Sequence, residues 1–180
     1  MELIESGQFS VDDFGHAKVF GEYILLLPVP VLIHLQTMLE KELGAKKAGA
    51  FLEEIGVYQV RQALERYKKR LGIQKVDKTK IMEFEKKIIN IIGFGNVDTK
   101  VVFNGSVIDI TLNNPTVAIK YAEINGKCRH PVDFYLGGIL KGSFSTLTGK
   151  DMTVEEVRCA AMGDSVCRFI LKPKKKRAKG

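Results

Sequence analysis

No apolar run in this chain is long enough to cross a bilayer. The longest, Ile24 to Ile33, covers about ten residues and is interrupted by Pro28 and Pro30, where a spanning helix takes about twenty. No signal peptide is read at the N-terminus. Cysteine is scarce as well. Three cysteines in 180 residues cannot make a disulfide framework, and without a secretion signal they predict a cytoplasmic, reducing setting for thiols or metal ligands. Nucleotide-binding signatures are missing: there is no Gly-x-Gly-x-x-Gly turn, no Walker loop and no nucleophile elbow. Three histidines leave nothing to single out a Ser-His-Asp set. These absences argue against an enzyme without closing the question for a metal-dependent one.

Acidic charge is in deficit, with a net +7, but the excess is local. Lys172, Lys174, Lys175, Lys176, Arg177 and Lys179 supply six positive charges, and without them 22 basic residues face 21 acidic ones. The body is close to neutral and residues 172–180 read as a solvated, disordered basic tail. Nucleic acid is therefore not expected as a partner, except weakly through that tail. Hydrophobic residues at 45% and charged ones at 27% are ordinary for a globular chain, and residues 1–171 are long enough for one well-cored domain.

The periodicities predict helices first and strands later. Ala17 to Leu27 reads as a strand or a first helical turn. Pro30 to Leu43 reads as a helix stopped by Gly44. Ala45 to Leu71 follows as a long helix, with Val57, Val60, Leu64, Tyr67 and Leu71 at three- and four-residue spacing. Asp77 can cap a third, with Ile81, Phe84, Ile88 and Ile91 on its apolar face. After Gly93 the pattern changes. A strand from Lys100 to Phe103 enters Asn104-Gly105, a hairpin signal, and Val107 to Leu112 alternates with Ile108, Ile110 and Leu112 on one face. Thr116 to Glu123 is expected as a further strand, and Pro131 to Leu147 as a helix. The fold class is α+β, with helices packed on an antiparallel sheet.

The last segment carries the chemistry. Val154–Ala161 and Val166–Leu171 read as two strands. If Met162, Gly163 and Asp164 make the loop between them, Cys159 faces Cys167. Opposed side chains have Cβ atoms about 4.5–5.5 Å apart. Two thiolates on one zinc need sulfurs a little under about 4 Å apart. The hairpin is thus a credible half of a tetrahedral site, and the alternative is two buried apolar cysteines.

This run and the helix before it resemble the 4-vinyl reductase-like domain family. The pattern reads here as His130-Pro131-Val132-Asp133, Gly149-Lys150, Glu156-x-x-Cys159, Gly163-Asp164 and Cys167-x-Phe169. The resemblance implies the fold of TRAPP tethering subunits and of phenol-responsive sensor domains. It also implies homodimers, and an apolar ligand held inside. It implies a zinc ion on Asp133, Glu156, Cys159 and Cys167, with Asp133 standing where the phenol sensors have Cys. Cys128 and His130, just upstream, are alternates. Residues three apart on a regular strand point to opposite faces, so Glu156 and Cys159 share an ion only if a β-bulge intervenes.

The expected function is therefore zinc-containing binding or sensing of a hydrocarbon or lipid-like molecule, with a closed, structural zinc. Phe103, Tyr121, Phe134, Tyr135 and Leu140 are candidates for the ligand wall. A zinc-dependent enzyme or reductase accessory protein, and a TRAPP-like scaffold for a regulatory partner, are the alternatives.

Overall fold

The computed structural model describes residues 9–19, 22–71, 89–90, 93–96, 102–104 and 107–174, with the side chains of 22, 65–71, 102–104 and 147 outside that description. The expected helix from Asp77 lies almost wholly outside the described residues. Three short strands open the chain: β1 (Phe9–Val11), β2 (Ala17–Val19) and β3 (Glu22–Tyr23), paired antiparallel in that order. Helices α1 (Val29–Leu43) and α2 (Ala45–Leu71) come next. After β4 (Val102–Asn104) and β5 (Val107–Leu112) come helices α3 (Thr116–Asn125) and α4 (Phe134–Thr148), then β6 (Met152–Arg158) and β7 (Cys167–Pro173). The second sheet is antiparallel, in the order β4-β5-β7-β6. The α+β class and the antiparallel sheet stand as expected.

The two N-terminal helices start and stop where local chemistry dictates. Pro30 lies in the first turn of α1, where its missing N–H costs nothing. Gly44 ends α1 at φ 78°, its N–H donating to the Glu40 carbonyl, a backbone state favoured in glycine. On β5 the alternation predicted from sequence holds: Ile108, Ile110 and Leu112 are buried and the residues between them are not. They meet Phe169 and Leu171 of β7 and Leu136, Leu140 and Phe144 of α4 in one core. Each such fully buried side chain contributes about 1.5–3 kcal/mol by leaving water.

Three expectations are corrected. Thr116 to Glu123 is helical, within α3, and buries Val117, Ala118 and Tyr121 on one face. Its β-branched residues favour a strand, but a buried stripe at i, i+1 and i+4 is satisfied by a helix, and packing overrides propensity. The later helix begins at Phe134, not Pro131, because the chain from Lys127 to Asp133 stays irregular. The small sheet β1–β3 is not legible in the sequence, since strands of two or three residues show no period.

α4 is the layer that lies on the sheet. A Cβ on Gly137 would sit 3.7 Å from Val154 and 4.0 Å from Phe169. On its opposite side α4 meets α2 at backbone contact, a Cβ on Gly138 falling 2.0 Å from the Glu53 carbonyl oxygen. This fixes the N-terminus of α4 beside the β6–β7 hairpin.

Candidate metal centre

The hairpin differs from expectation in its loop and agrees in its outcome. β6 ends at Arg158, and a 3-10 turn over Ala160–Met162 leads to Gly163 at φ 104°. The loop is longer than three residues. Even so, the ladder runs Glu156 opposite Phe169 and then Arg158 opposite Arg168, with a register shift between them. Continued one step, the register sets Cys159 against Cys167. The shift is the bulge that the Glu156 spacing demands: the extra residue, Val157, turns Glu156 and Cys159 to one side.

The turn is held by backbone and side-chain bonds. The Cys159 N–H donates to Asp164 Oδ2 at 2.9 Å, and the Asp164 and Met162 N–H groups return to the Cys159 carbonyl. Asp164 is thus a positioning residue that spacing alone does not reveal; the Gly-Asp pair marks only the turn. The Ala160 N–H points at Cys167 Sγ, 3.4 Å away, and an N–H aimed at sulfur stabilises a thiolate.

Glu156, Cys159 and Cys167 converge, with one ligand atom from each inside 4.8 Å of the others. Both cysteines are buried. Asp133 stands beside them at the start of α4, and its N–H donates to Glu156 Oε2 at 3.0 Å. Its carboxylate is buried, and neither oxygen has a hydrogen-bond partner; Glu156 Oε1 is likewise buried and unpartnered.

Four acidic groups thus share one dry place. Burial, with Glu156 adding its charge, pushes the Asp133 carboxyl up to about 8. Burial and the nearby Cys159 do the same for Glu156, also to about 8. The cysteine pair splits: Cys159 is drawn down to about 6 by the hydrogen bond from Cys167, and Cys167 is pushed up by holding the proton between them. An unpartnered buried carboxylate costs several kcal/mol, and a divalent cation is the partner that would cancel all of these charges at once. Two thiolates and two carboxylates are ligands that zinc accepts at four-coordinate sites, so the residues present fit the ion that the sequence implied.

Cys128 and His130 border this cluster and do not enter it. Cys128 Sγ donates to the His130 carbonyl at 3.0 Å, and burial raises its pKa. His130 Nδ1 lies 2.9 Å from the Pro131 carbonyl oxygen, and its ring stacks on Phe134. Lys127 lies over the turn: a Cβ on Gly163 would fall 2.2 Å from its Nζ.

The candidate wall residues are dispersed. Tyr121 is buried on α3, and its hydroxyl donates to Glu40 Oε2 at 2.8 Å. Phe134 lies over Gly49 of α2, and Tyr135 packs against Phe94. Leu140 is fully buried in the core. The Phe103 side chain is outside the described residues.

Residues 122–173 match the family model of the 4-vinyl reductase domain. No curated protein matches the sequence. Among solved structures, the phenol-responsive sensory domain of the transcription activator PoxR, crystallised with phenol, matches with a TM-score of 0.76 at 19% identity, covering 93% of this chain and 86% of that one. A vinyl-4-reductase family protein from Methanocaldococcus jannaschii matches with a TM-score of 0.57 at 20% identity, covering 84% and 85%. A trafficking protein particle complex subunit 3 from Naegleria fowleri, covalently bound to palmitic acid, matches at 0.57 and 11%, covering 84% and 98%. At such identities the likeness is one of fold. The chain is thus similar to the 4-vinyl reductase-like family in the segment that carries the cysteine hairpin, and shares a fold with sensor-domain and TRAPP-subunit structures over most of its length.

Proposed function

We propose that this chain is a small-molecule binding or sensing domain of the cytoplasm whose C-terminal hairpin carries a structural zinc ion. The observation that supports the metal is the buried set of Asp133, Glu156, Cys159 and Cys167, with three of its four carboxylate oxygens free of hydrogen bonds. Bound there, zinc would clamp β6, β7 and the start of α4 together. With four protein ligands the site is closed to water and has no role in chemistry. The ligand is proposed to be apolar, a phenol, hydrocarbon or lipid-like molecule. The PoxR sensory domain was crystallised with phenol and the Naegleria subunit with palmitic acid, and the proposal carries that class of ligand over to this fold. Tyr121, Phe134, Tyr135 and Leu140, with Phe103, are its proposed contacts.

Native mass spectrometry of protein purified without added metal tests both parts. One zinc per chain is expected, with Cys159→Ser and Cys167→Ser each losing it along with much of the stability, since metal binding and folding are linked. A metal-free wild type, after a control for chelators, would end the zinc reading. A thermal-shift screen of phenols, fatty acids and isoprenoids addresses the ligand. A binder at 100 times its dissociation constant raises stability by about 2.7 kcal/mol, and no shift from any of the three classes removes the sensing reading.

A second reading, a docking scaffold, is favoured by a different feature. Val31, Leu35 and Met38 on α1, and Phe51, Ile55 and Tyr58 on α2, are exposed apolar stripes at helical spacing. They suit a protein partner or a second copy of the chain.

A further inference from the structure

Asp133 holds the N-cap position of α4 and does not cap it. At that position an Asp carboxylate ordinarily accepts from the second or third backbone N–H of the helix, here those of Tyr135 and Leu136. The first N–H groups of any helix have no partner within it, and their partial positive charge attracts an anion. Asp133 nevertheless turns its carboxylate away, at backbone φ −84° and ψ 41°, outside the extended region usual for a cap. It lies instead beside Glu156 and Cys167, buried and without a hydrogen bond on either oxygen. A helix terminus lacking its acceptor and a cluster lacking its cation flank one carboxylate, which can serve only one of them at a time.

We propose that Asp133 is a metal-governed helix cap. With an ion on Glu156, Cys159 and Cys167, its carboxylate completes the ligand set and leaves the first turn of α4 uncapped. With the ion withdrawn, the side chain rotates about Cα–Cβ and accepts from Tyr135 or Leu136. This rests on the zinc reading above and adds what the ion does to the fold. The turn concerned touches α2: the Phe134 ring covers Gly49, and a Cβ on Gly56 would fall 2.2 Å from the Tyr135 carbonyl oxygen. Metal occupancy at the hairpin would thereby be felt at the long N-terminal helix. A Cys at position 133 would not do this, because a thiolate ligates well and caps a helix poorly.

The test is residue-resolved amide exchange on the full chain, zinc-loaded and chelator-treated, with zinc content measured on the same samples. In the wild type, removing zinc should slow exchange at Tyr135 and Leu136 by about fivefold, the effect of gaining one cap, while amides from Cys159 to Cys167 speed up. Loss of structure around the hairpin would instead speed exchange at both places, and that result overturns the proposal. Asp133→Asn keeps a good cap and removes the carboxylate ligand. Its Tyr135 and Leu136 amides should be slow even with zinc present, and if they match the zinc-loaded wild type the proposal fails. Asp133→Cys should keep zinc and show fast first-turn amides throughout; slow ones would contradict the proposal. Zinc content separates the two levels. A wild type that takes up no zinc refutes the metal reading and this inference with it, whereas zinc uptake with unchanged first-turn exchange refutes the inference alone.

Discussion

Asp133 and Glu156 place two carboxyl groups where neither can keep its water, and their protons report on the ion directly. In chelator-treated protein both carboxyls sit near 8, against ordinary values of 3.8 and 4.5. The unfolded chain ionises these groups from about pH 4 upward, while the folded chain holds their protons until about pH 8. Between those limits the folded state binds more protons, so these two groups make stability fall as pH rises. Their contribution is complete below about pH 4 and lost as pH passes 8. Zinc reverses the slope, because its ligands must be deprotonated. Urea titrations at pH 5, 6.5 and 8, with zinc and with chelator, should therefore give midpoints that diverge as pH rises, the zinc-loaded protein gaining where the chelated protein loses. Parallel curves would mean that no ion reaches these carboxyls. At this scale the sequence disclosed which residues carry the chemistry and stopped short of their geometry. The opposed thiols follow from strand pairing. The bulge at Val157, which brings Glu156 to the cysteines, depends on how β6 meets β7 and leaves no mark in the residues themselves.

The elements are joined by glycine where α4 crosses α2. A Cβ on Gly138 would meet the Glu53 carbonyl oxygen at 2.0 Å, and one on Gly142 would meet Val60 Cγ1 at 2.3 Å and Val57 Cα at 3.1 Å. Backbone atoms cannot move aside as a side-chain tip can, so Gly138→Ala must push the helices apart. Overpacking of this kind costs about 1–3 kcal/mol, occasionally more. Gly137 faces the sheet with its nearest atom at 3.7 Å. There alanine finds ordinary contact distances and gains up to about 1 kcal/mol in helix propensity. Neighbouring substitutions should thus move the urea midpoint in opposite directions, and a Gly137→Ala protein as damaged as Gly138→Ala would show that the crossing is not set by these contacts. The two long N-terminal helices are legible because Pro30, Gly44 and a long apolar period bracket them. α3 is not, because Thr116, Val117 and Ile119 carry strand propensity, and only the packed fold shows that the buried set is Val117, Ala118 and Tyr121.

For the whole molecule the open question is what covers the N-terminal helices. α1 turns Ile33 and Gln36 inward, and Gln36 and Tyr121 both hydrogen-bond Glu40. Its other face leaves Leu35 48% exposed, and α2 leaves Tyr58 67% exposed. Leu25, Leu26 and Leu27, just before α1, are exposed as well. Monomers seldom show apolar patches larger than a few hundred Å², and a stable interface takes about 800 Å² from each partner. Two helices side by side with such stripes offer a self-complementary surface for a two-fold dimer. Sedimentation at tens of micromolar should therefore give about twice the chain mass of 20.1 kDa. Leu35→Lys with Tyr58→Lys should shift it to the monomer and leave the far-UV circular dichroism unchanged, since neither side chain helps fill the core. The same variant separates the two functional readings. If the helices serve only to dimerise a sensor, zinc binding and any phenol or fatty-acid shift should survive in the monomer at reduced stability, because subunit association stabilises the fold by mass action. A wild type that sediments at 20.1 kDa would leave the stripes to a different protein, and the scaffold reading would then displace the homodimer.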